Sequence, residues 1–228
     1  MNNPACPLCS STDAQTFHRD AFREYLICSV CDLVFAHPDS HLDREEEFSR
    51  YEYHENDIND QGYRNFLEKL ELPMLERVTP ESQGLDFGSG PGPLLKLMFE
   101  EQGHTMSIFD TFYAPDPSVF DRQYDFISSS EVVEHLHHPM GELDRLWSCL
   151  KPGGFLGIMT SMRHGDLDFN TWHYIKDDTH VIFFSPQTMR WLADRWEASL
   201  EIIGNSVIIL QKKGVWVNKA GIRIPALK

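Results

Sequence analysis

Hydrophobic positions along the chain change their period several times, and each change marks a boundary between predicted elements. Between residues 62 and 78 the apolar residues Tyr63, Phe66 and Leu70 recur at helical spacing, and Pro73 interrupts them, which predicts a bent helix. From residue 84 onward, short apolar runs alternate with longer helical patterns. We predict strands at 85–87, 105–110, 124–129 and 155–160, and helices at 93–102, 140–150 and 186–196.

This alternation is typical of an α/β protein with a Rossmann-like, mostly parallel sheet. Two further apolar runs, 200–203 and 207–211, flank the turn Gly204-Asn205 and predict an antiparallel hairpin at the end of the sheet. Three segments follow from the pattern: a cysteine-bearing module at 1–40, a polar linker with a packing helix at 41–80, and an α/β domain at 81–228 with an insertion at 161–185.

Four of the five cysteines form two pairs, each with two residues between its members. Cys6 and Cys9 precede Cys28 and Cys31 by eighteen intervening residues, a spacing typical of a zinc ribbon. Disulfides or plain buried thiols are the alternatives, and disulfides fit poorly with a cytoplasmic chain. Because a module of this size buries little surface, we predict one structural Zn²⁺ held by the four thiolates.

The net charge of the chain indicates which kinds of partner it can bind. Lys and Arg number 20 against 35 Asp and Glu, a net charge of −15, which disfavours binding to phosphate backbones of nucleic acid. No apolar stretch approaches the ~20 residues of a membrane span. The first residues lack the pattern of a signal peptide. We therefore expect a cytoplasmic protein with a small-molecule partner and no membrane partner.

A glycine-rich loop follows the first predicted strand of the α/β domain. Gly88, Gly90 and Gly92 permit a tight turn and close approach of a ligand, and Asp110 at the end of the next strand is placed to accept hydrogen bonds from ribose hydroxyls. A dinucleotide-binding loop is the alternative, but its fingerprint requires glycine or alanine where Pro93 stands.

Four motifs in this order resemble the class I S-adenosylmethionine-dependent methyltransferases. The segments 85–92, 124–135 and 150–156, together with Asp110, resemble that family's motifs, and 131–135 is most similar to the ubiquinone-biosynthesis O-methyltransferase. The resemblance implies a seven-stranded type of sheet with an antiparallel last strand, and S-adenosylmethionine as cofactor. The implied cofactor-binding residues are Asp86, Gly88, Ser89, Gly90, Gly92, Asp110, Thr111, Phe112, Ser130 and Glu131.

The chain departs from that family between Asp110 and Tyr124. Only thirteen residues lie there, with prolines at 115 and 117, and a helix plus a third strand do not fit easily. We therefore expect a reduced third strand, with Phe112 or Tyr113 covering the adenine ring.

The insertion at 161–185 follows the carboxyl end of a strand, the edge at which open α/β sheets bind ligands. Its aromatic, His and Asp residues suit a lid over a polar substrate, and a surface cover packed on the sheet is the alternative. An alcohol or phenol acceptor needs a base, for which His135, His173 and His180 are the candidates; a capping or structural role is the alternative for each.

A second metal site is a further hypothesis. Glu131, Glu134 and His135 stand at i, i+3 and i+4, and they would share one face if a helix began there. The arrangement is similar to one in metal-dependent O-methyltransferases, including small-RNA 2′-O-methyltransferases, and its ligands suit Mg²⁺ or Mn²⁺. His173 or His180 would supply a fourth ligand. In the alternative without a metal, Glu131 contacts the methyl donor and His135 packs under the insertion.

The preferred function is methyl transfer to a small polar metabolite, such as a sugar or another hydroxyl acceptor. A zinc ribbon joined to this fold occurs in sugar methyltransferases and in a ribosomal-RNA guanine methyltransferase. An RNA or protein methyltransferase that uses the ribbon for recognition is therefore one alternative. A non-catalytic scaffold that retains the fold is the other.

Overall fold

The computed structural model describes residues 3–51, 57–214, 216–217 and 223–224. The strands in chain order are β1 (Ala14–Arg19), β2 (Glu24–Cys28), β3 (Val34–Ala36), β4 (Gln83–Phe87), β5 (Thr105–Phe109), β6 (Tyr124–Ser130), β7 (Leu150–Met159), β8 (Ile182–Phe183), β9 (Ser199–Ile203), β10 (Val207–Gln211), β11 (Trp216–Val217) and β12 (Arg223–Ile224). The α-helices are α1 (Arg44–Tyr51), α2 (Gln61–Leu75), α3 (Leu94–Glu101), α4 (Pro139–Ser148) and α5 (Pro186–Trp196). Short 3₁₀ turns lie at Pro38–Ser40, Pro117–Asp121, Val133–His135 and His173–Lys176.

A six-stranded sheet forms the centre of the α/β domain, in the order β5-β4-β6-β7-β10-β9. The pairs β4–β5, β4–β6 and β6–β7 are parallel, and β10 runs antiparallel to both β7 and β9. The predicted α/β class and the antiparallel last strand are confirmed. The third strand is reduced, as expected: residues 111–123 contain only an isolated bridge and the 3₁₀ turn Pro117–Asp121, because so short a segment with prolines at 115 and 117 leaves little room for a strand.

Helices cover both faces of this sheet. Leu67, Leu70 and Met74 of α2 form one buried cluster with α3, and a side chain at Gly157 of β7 would collide with the Met74 sulfur at 2.5 Å. The helix α5 begins at a capping box in which Ser185 and Thr188 bond each other's backbone, as its Ser-Pro start predicts. No helix in the described ranges is long and apolar enough to cross a bilayer.

The cysteine-bearing module and the insertion share a second sheet, in the order β1-β2-β3-β8. Val34 and Phe35 of β3 pair with Phe183 and Ile182 of β8, which belongs to the insertion. The buried aromatic residues Phe169, Trp172 and Tyr174 of the insertion lie in one cluster with Tyr25 of β2. The insertion therefore packs on the module as well as on the main sheet, so removing either exposes the apolar face of the other.

Candidate functional site

The four paired cysteines converge at one point. The Cys6 and Cys31 sulfurs lie 3.5 Å apart, those of Cys9 and Cys28 lie 3.4 Å apart, and all four lie within 4.8 Å of one another. All are free thiols. Tetrahedral Zn²⁺ with ~2.3 Å bonds to sulfur separates its ligands by about 3.8 Å, so the group fits the ion and closes its shell.

The glycine loop after β4 is held by backbone contacts with the next strand. The Gly88 N–H donates to the Phe109 carbonyl at 2.7 Å, and the Gly90 N–H donates to the Asp110 carboxylate at 2.9 Å. Gly88 has φ +79°, and a Cβ atom there would lie 2.2 Å from the Val132 side chain. The Ser89 hydroxyl is buried without a partner among the described residues, so the loop retains a polar group for a ligand.

Asp110 organises the loop that replaces the third strand. Its carboxylate also accepts hydrogen bonds from the Phe112 and Tyr113 N–H groups at 2.8 and 3.0 Å. The same carboxylate therefore fixes both the glycine loop and the segment that carries these two rings. It retains lone-pair capacity for a ligand hydroxyl, because an ionised carboxylate accepts about four hydrogen bonds.

Asp86 lies at the core end of the site rather than on its surface. Its carboxyl group is buried in β4 and accepts a hydrogen bond from the Ser128 hydroxyl at 2.9 Å. Burial raises the pKa of Asp86 to about 7, with the nearby Asp110 charge acting in the same direction and the Ser128 hydrogen bond opposing them. Asp86 therefore joins β4 to β6 just before the glycine loop.

The pH dependence of stability tests the raised pKa of Asp86. The folded pKa of about 7 exceeds the ordinary 3.8, so folding takes up a proton between these values and the free energy of unfolding falls as pH rises through that window. We expect Asp86→Asn, which cannot titrate, to gain up to about 4 kcal/mol relative to wild type between pH 4 and pH 8. Urea denaturation at both pH values measures it. A difference that does not change with pH would contradict the assignment.

The helix α1 lies between the Asp110 loop and the insertion. Phe48 and Tyr51 contact the Phe112 ring at centroid distances of 5.2 and 5.6 Å, and the Tyr51 ring also meets His135 edge-on at 5.5 Å. The guanidinium of Arg50 forms an ion pair with Asp178 of the insertion at 2.8 Å. One helix thus joins the Phe112 ring to the insertion.

The segment after β6 does not form the helix that the spacing of Glu131, Glu134 and His135 suggested. Glu131 has φ +51°, and only the 3₁₀ turn Val133–His135 follows, so α4 begins later, at Pro139. The turn arises because Val132 packs against Gly88, which directs the chain across the end of the sheet. The premise of one shared helical face is therefore wrong, although the turn still gathers two of the three residues.

Glu134, His135 and His180 form a cluster whose ligand atoms all lie within 4.8 Å of one another. The His135 Nδ1 faces the Thr179 carbonyl at 3.1 Å, and the His180 Nδ1 faces the Tyr174 carbonyl at 2.7 Å. Because a carbonyl oxygen only accepts, each Nδ1 carries a proton, and Nε2 is the ring nitrogen that could bind a metal ion. The Asp177 carboxylate lies 3.7 Å from the His180 Nε2.

Tyr174 joins the cluster to Glu131. Its hydroxyl contacts a Glu134 carboxylate oxygen closely and lies 3.3 Å from Glu131 and 3.0 Å from the Thr160 hydroxyl. Burial raises the pKa of Glu134 to about 8, with the Glu131 charge adding to it, and raises that of Glu131 to about 7. The second Glu134 oxygen, Oε2, is buried and has no hydrogen-bond partner among the described residues.

The structure brings together most of the sequence-predicted residues. The glycine loop, Asp110 and Phe112 form one side, and Glu131, His135 and His180 form the other. His173 is exposed and lies outside the cluster. Sequence reasoning did not assign Tyr174 a polar contact with the glutamates, and it did not place α1 at the site. Nothing in the local pattern of 41–51 distinguishes a site helix from a solvated linker.

Comparisons with known proteins agree with this geometry. A family model described as a methyltransferase domain matches residues 34–202. Among solved structures, the chain is similar to 1,6-didemethyltoxoflavin-N1-methyltransferase from Burkholderia thailandensis, which has bound 1,6-didemethyltoxoflavin and S-adenosylhomocysteine. The two are 17% identical over 88% of this chain and 100% of that chain, with a TM-score of 0.51.

A second similar chain comes from the complex between the Trm112 methyltransferase activator and its methyltransferase from Haloferax volcanii. It is 13% identical over 76% of this chain and 100% of that chain, with a TM-score of 0.52. At such identities the likeness concerns the fold alone. A search of the curated proteins finds no match.

Proposed function

The chain belongs to the methyltransferase-domain family and is an S-adenosylmethionine-dependent methyltransferase, and we propose that its acceptor is a hydroxyl group of a small polar metabolite. The observation that carries this proposal is the cluster of Glu134, His135 and His180 beside the glycine loop. The two are adjacent because Val132 fills the space above Gly88. The likeness of 131–135 to the ubiquinone-biosynthesis O-methyltransferase also favours a hydroxyl acceptor.

The donor would lie across the glycine loop. Asp110 would accept hydrogen bonds from its ribose hydroxyls, the buried Ser89 hydroxyl would donate to it, and Phe112 would cover the adenine. The donor's sulfonium makes its methyl group electrophilic, so the protein's main task is to align the attacking oxygen with that methyl group.

The acceptor side would hold a divalent cation. Glu134, His135 and His180 supply one carboxylate and two imidazoles, a donor set that suits Mn²⁺ or Mg²⁺. Three features fit such an ion: the convergent ligand atoms, the unpartnered Glu134 Oε2, and the two Nδ1–H groups fixed on backbone carbonyls. When bound, the cation would lower the pKa of the acceptor hydroxyl and orient it.

The surrounding residues favour a small acceptor over a nucleic acid. The net charge is −15, and Asp177 and Asp178 lie on the insertion beside the cluster. Tyr174 and His180 are buried, so the reacting group would have to reach an enclosed position beside these carboxylates. A phosphate backbone in that position would face carboxylates, which disfavours an RNA substrate.

Transfer of labelled methyl from S-adenosylmethionine to fractions of a cell extract tests the proposal. We expect label in the fraction of small polar metabolites, in a product whose methyl group is stable as an ether. Label confined to RNA or protein would overturn the acceptor class in favour of the macromolecular alternative. A protein that binds S-adenosylhomocysteine yet labels no fraction would favour the scaffold.

A glycine substitution tests the donor position separately. Gly88→Ala would place a Cβ 2.2 Å from Val132 at φ +79°, so the loop must move. We expect a 10–100-fold weaker Kd for S-adenosylhomocysteine by calorimetry, on the order of 1.4–2.7 kcal/mol. Gly103→Ala is the matched control, because Gly103 has φ +85° but open space around it. An unchanged Kd in Gly88→Ala would place the donor elsewhere.

A further inference from the structure

Hydrogen bonds to Asp20 fix the turn between β1 and β2, which carries Arg23. The Asp20 carboxylate accepts hydrogen bonds from the Phe22 and Arg23 N–H groups, both at 2.7 Å, and from the Tyr25 hydroxyl at 3.0 Å. The Arg23 guanidinium lies 5.3 Å from the centroid of the Tyr25 ring, and the residue is 8% exposed. The turn therefore places a buried guanidinium between the Tyr25 ring and the insertion.

That cation is surrounded by carbonyl groups of the insertion. Arg23 Nη1 donates to the His180 and Asp178 carbonyls at 3.0 and 3.4 Å. Its Nη2 donates to the Asp177 carbonyl at 3.1 Å and closely to that of Ile175. Four carbonyls from six consecutive residues thus point at one guanidinium, whose planar fork matches such a set where a single ammonium cannot.

The same stretch of chain fixes the two histidines of the cluster. The Tyr174 and Thr179 carbonyls, which Arg23 does not use, accept the Nδ1–H groups of His180 and His135. The path of residues 174–180 around Arg23 therefore sets the direction of the two carbonyls that select each tautomer.

A second connection runs through the backbone of one residue, Val181. The Ala36 N–H at the end of β3 donates to the Val181 carbonyl at 2.8 Å, and the Val181 N–H donates to the Glu134 carbonyl at 2.9 Å. Backbone hydrogen bonds thus link Glu134 to the module through a single intervening residue, Val181. Both sides of the cluster are attached to the module.

We propose that the cysteine-bearing module, with Zn²⁺ on its four thiolates, supports the acceptor site. Within it, Arg23 is a positioning residue: it holds residues 174–180 so that His135 and His180 present Nε2 to a divalent cation. This inference rests on the proposed function for the identity of that site. It assigns the module a role within the enzyme's own active site, independent of any recruitment of a macromolecule.

Mn²⁺ binding to the full-length, zinc-loaded protein tests the role of Arg23. We expect Arg23→Gln to weaken the Kd for Mn²⁺ by about 10–100-fold, as loss of an outer contact to metal ligands typically does. Arg23→Lys should recover part of the affinity. The Kd for S-adenosylhomocysteine and the zinc content should not change. Arg19→Gln is the matched control, because Arg19 lies on the same hairpin and pairs only at the surface with Glu24.

Imidazole ¹⁵N chemical shifts give a second readout. In wild type both histidines should show a protonated Nδ1, and in Arg23→Gln they should show mixed tautomers. Wild-type Mn²⁺ affinity and unchanged shifts in both Arg23 variants would overturn the inference. If Arg23→Gln no longer binds S-adenosylhomocysteine, it has lost its fold and Arg23→Lys decides. If wild type binds no Mn²⁺, the proposed cation fails, and the shifts alone decide the role of Arg23.

Discussion

Glu134→Gln is expected to reduce kcat for methyl transfer by about 10²–10⁴-fold while leaving the Kd for S-adenosylhomocysteine within twofold. The substitution preserves the shape of a fully buried side chain and removes the carboxyl group that would bind the cation. His180→Ala should have an effect of the same order, because it removes another member of the cluster. Steady-state kinetics and calorimetry separate the two quantities, since the donor is proposed to lie across the glycine loop and not on the cluster.

His138→Ala is the matched control for these variants. His138 is exposed four residues from Glu134 and makes no side-chain cap to α4. Its kcat should equal that of wild type. Equal loss of kcat and donor affinity in Glu134→Gln would instead make the cluster part of the donor site or of the fold.

Loss of the zinc site is expected to remove the support of the acceptor side as well. Cys31→Ser should lower the zinc content from about one equivalent to near zero, with loss of several kcal/mol of stability in the module. Because β3 pairs with β8, amide hydrogen exchange should accelerate at residues 175–183 as well as at 24–36. Elemental analysis and exchange mass spectrometry measure these effects.

Cys149→Ser provides the comparison for Cys31→Ser. Cys149 is buried in the α/β core, and its sulfur lies 3.4 Å from the Phe120 carbonyl, a contact that a serine hydroxyl can preserve. Its zinc content should stay at one equivalent. Zinc-free Cys31→Ser protein with wild-type exchange at 175–183 would show that the module does not support the insertion.

Local patterns were sufficient for the elements of the α/β domain. The apolar run before Gly88 and the hairpin at Gly204 each lie where the sequence predicted, because strand length and turn residues are properties of neighbouring positions. The short segment 111–123 predicted a reduced third strand for the same reason. Asp110 was predicted beside the loop, since parallel strands end at one edge of a sheet.

Contacts between distant segments could not be predicted in this way. His135 and His180 are separated by a helix, a strand and most of the insertion, and hydrogen bonds from residues 134–135 to residues 179–181 bring them together. The local sequence assigns Arg23 no role beyond a hairpin turn, whereas in the structure four carbonyl groups of the insertion surround its guanidinium. The condition that a helix begin at Glu131 is not met, because Glu131 has a positive φ and Val132 packs against Gly88, a contact that local sequence does not reveal.

A divalent cation on Glu134, His135 and His180 is proposed to activate the acceptor. The most direct measurement is methyl transfer to the identified acceptor in the presence of a chelator that removes Mg²⁺ and Mn²⁺ but leaves the zinc, with zinc content checked in the same sample. We predict a fall in activity of at least about 100-fold, restored by added Mg²⁺ or Mn²⁺. Undiminished activity with one zinc per chain would contradict the claim.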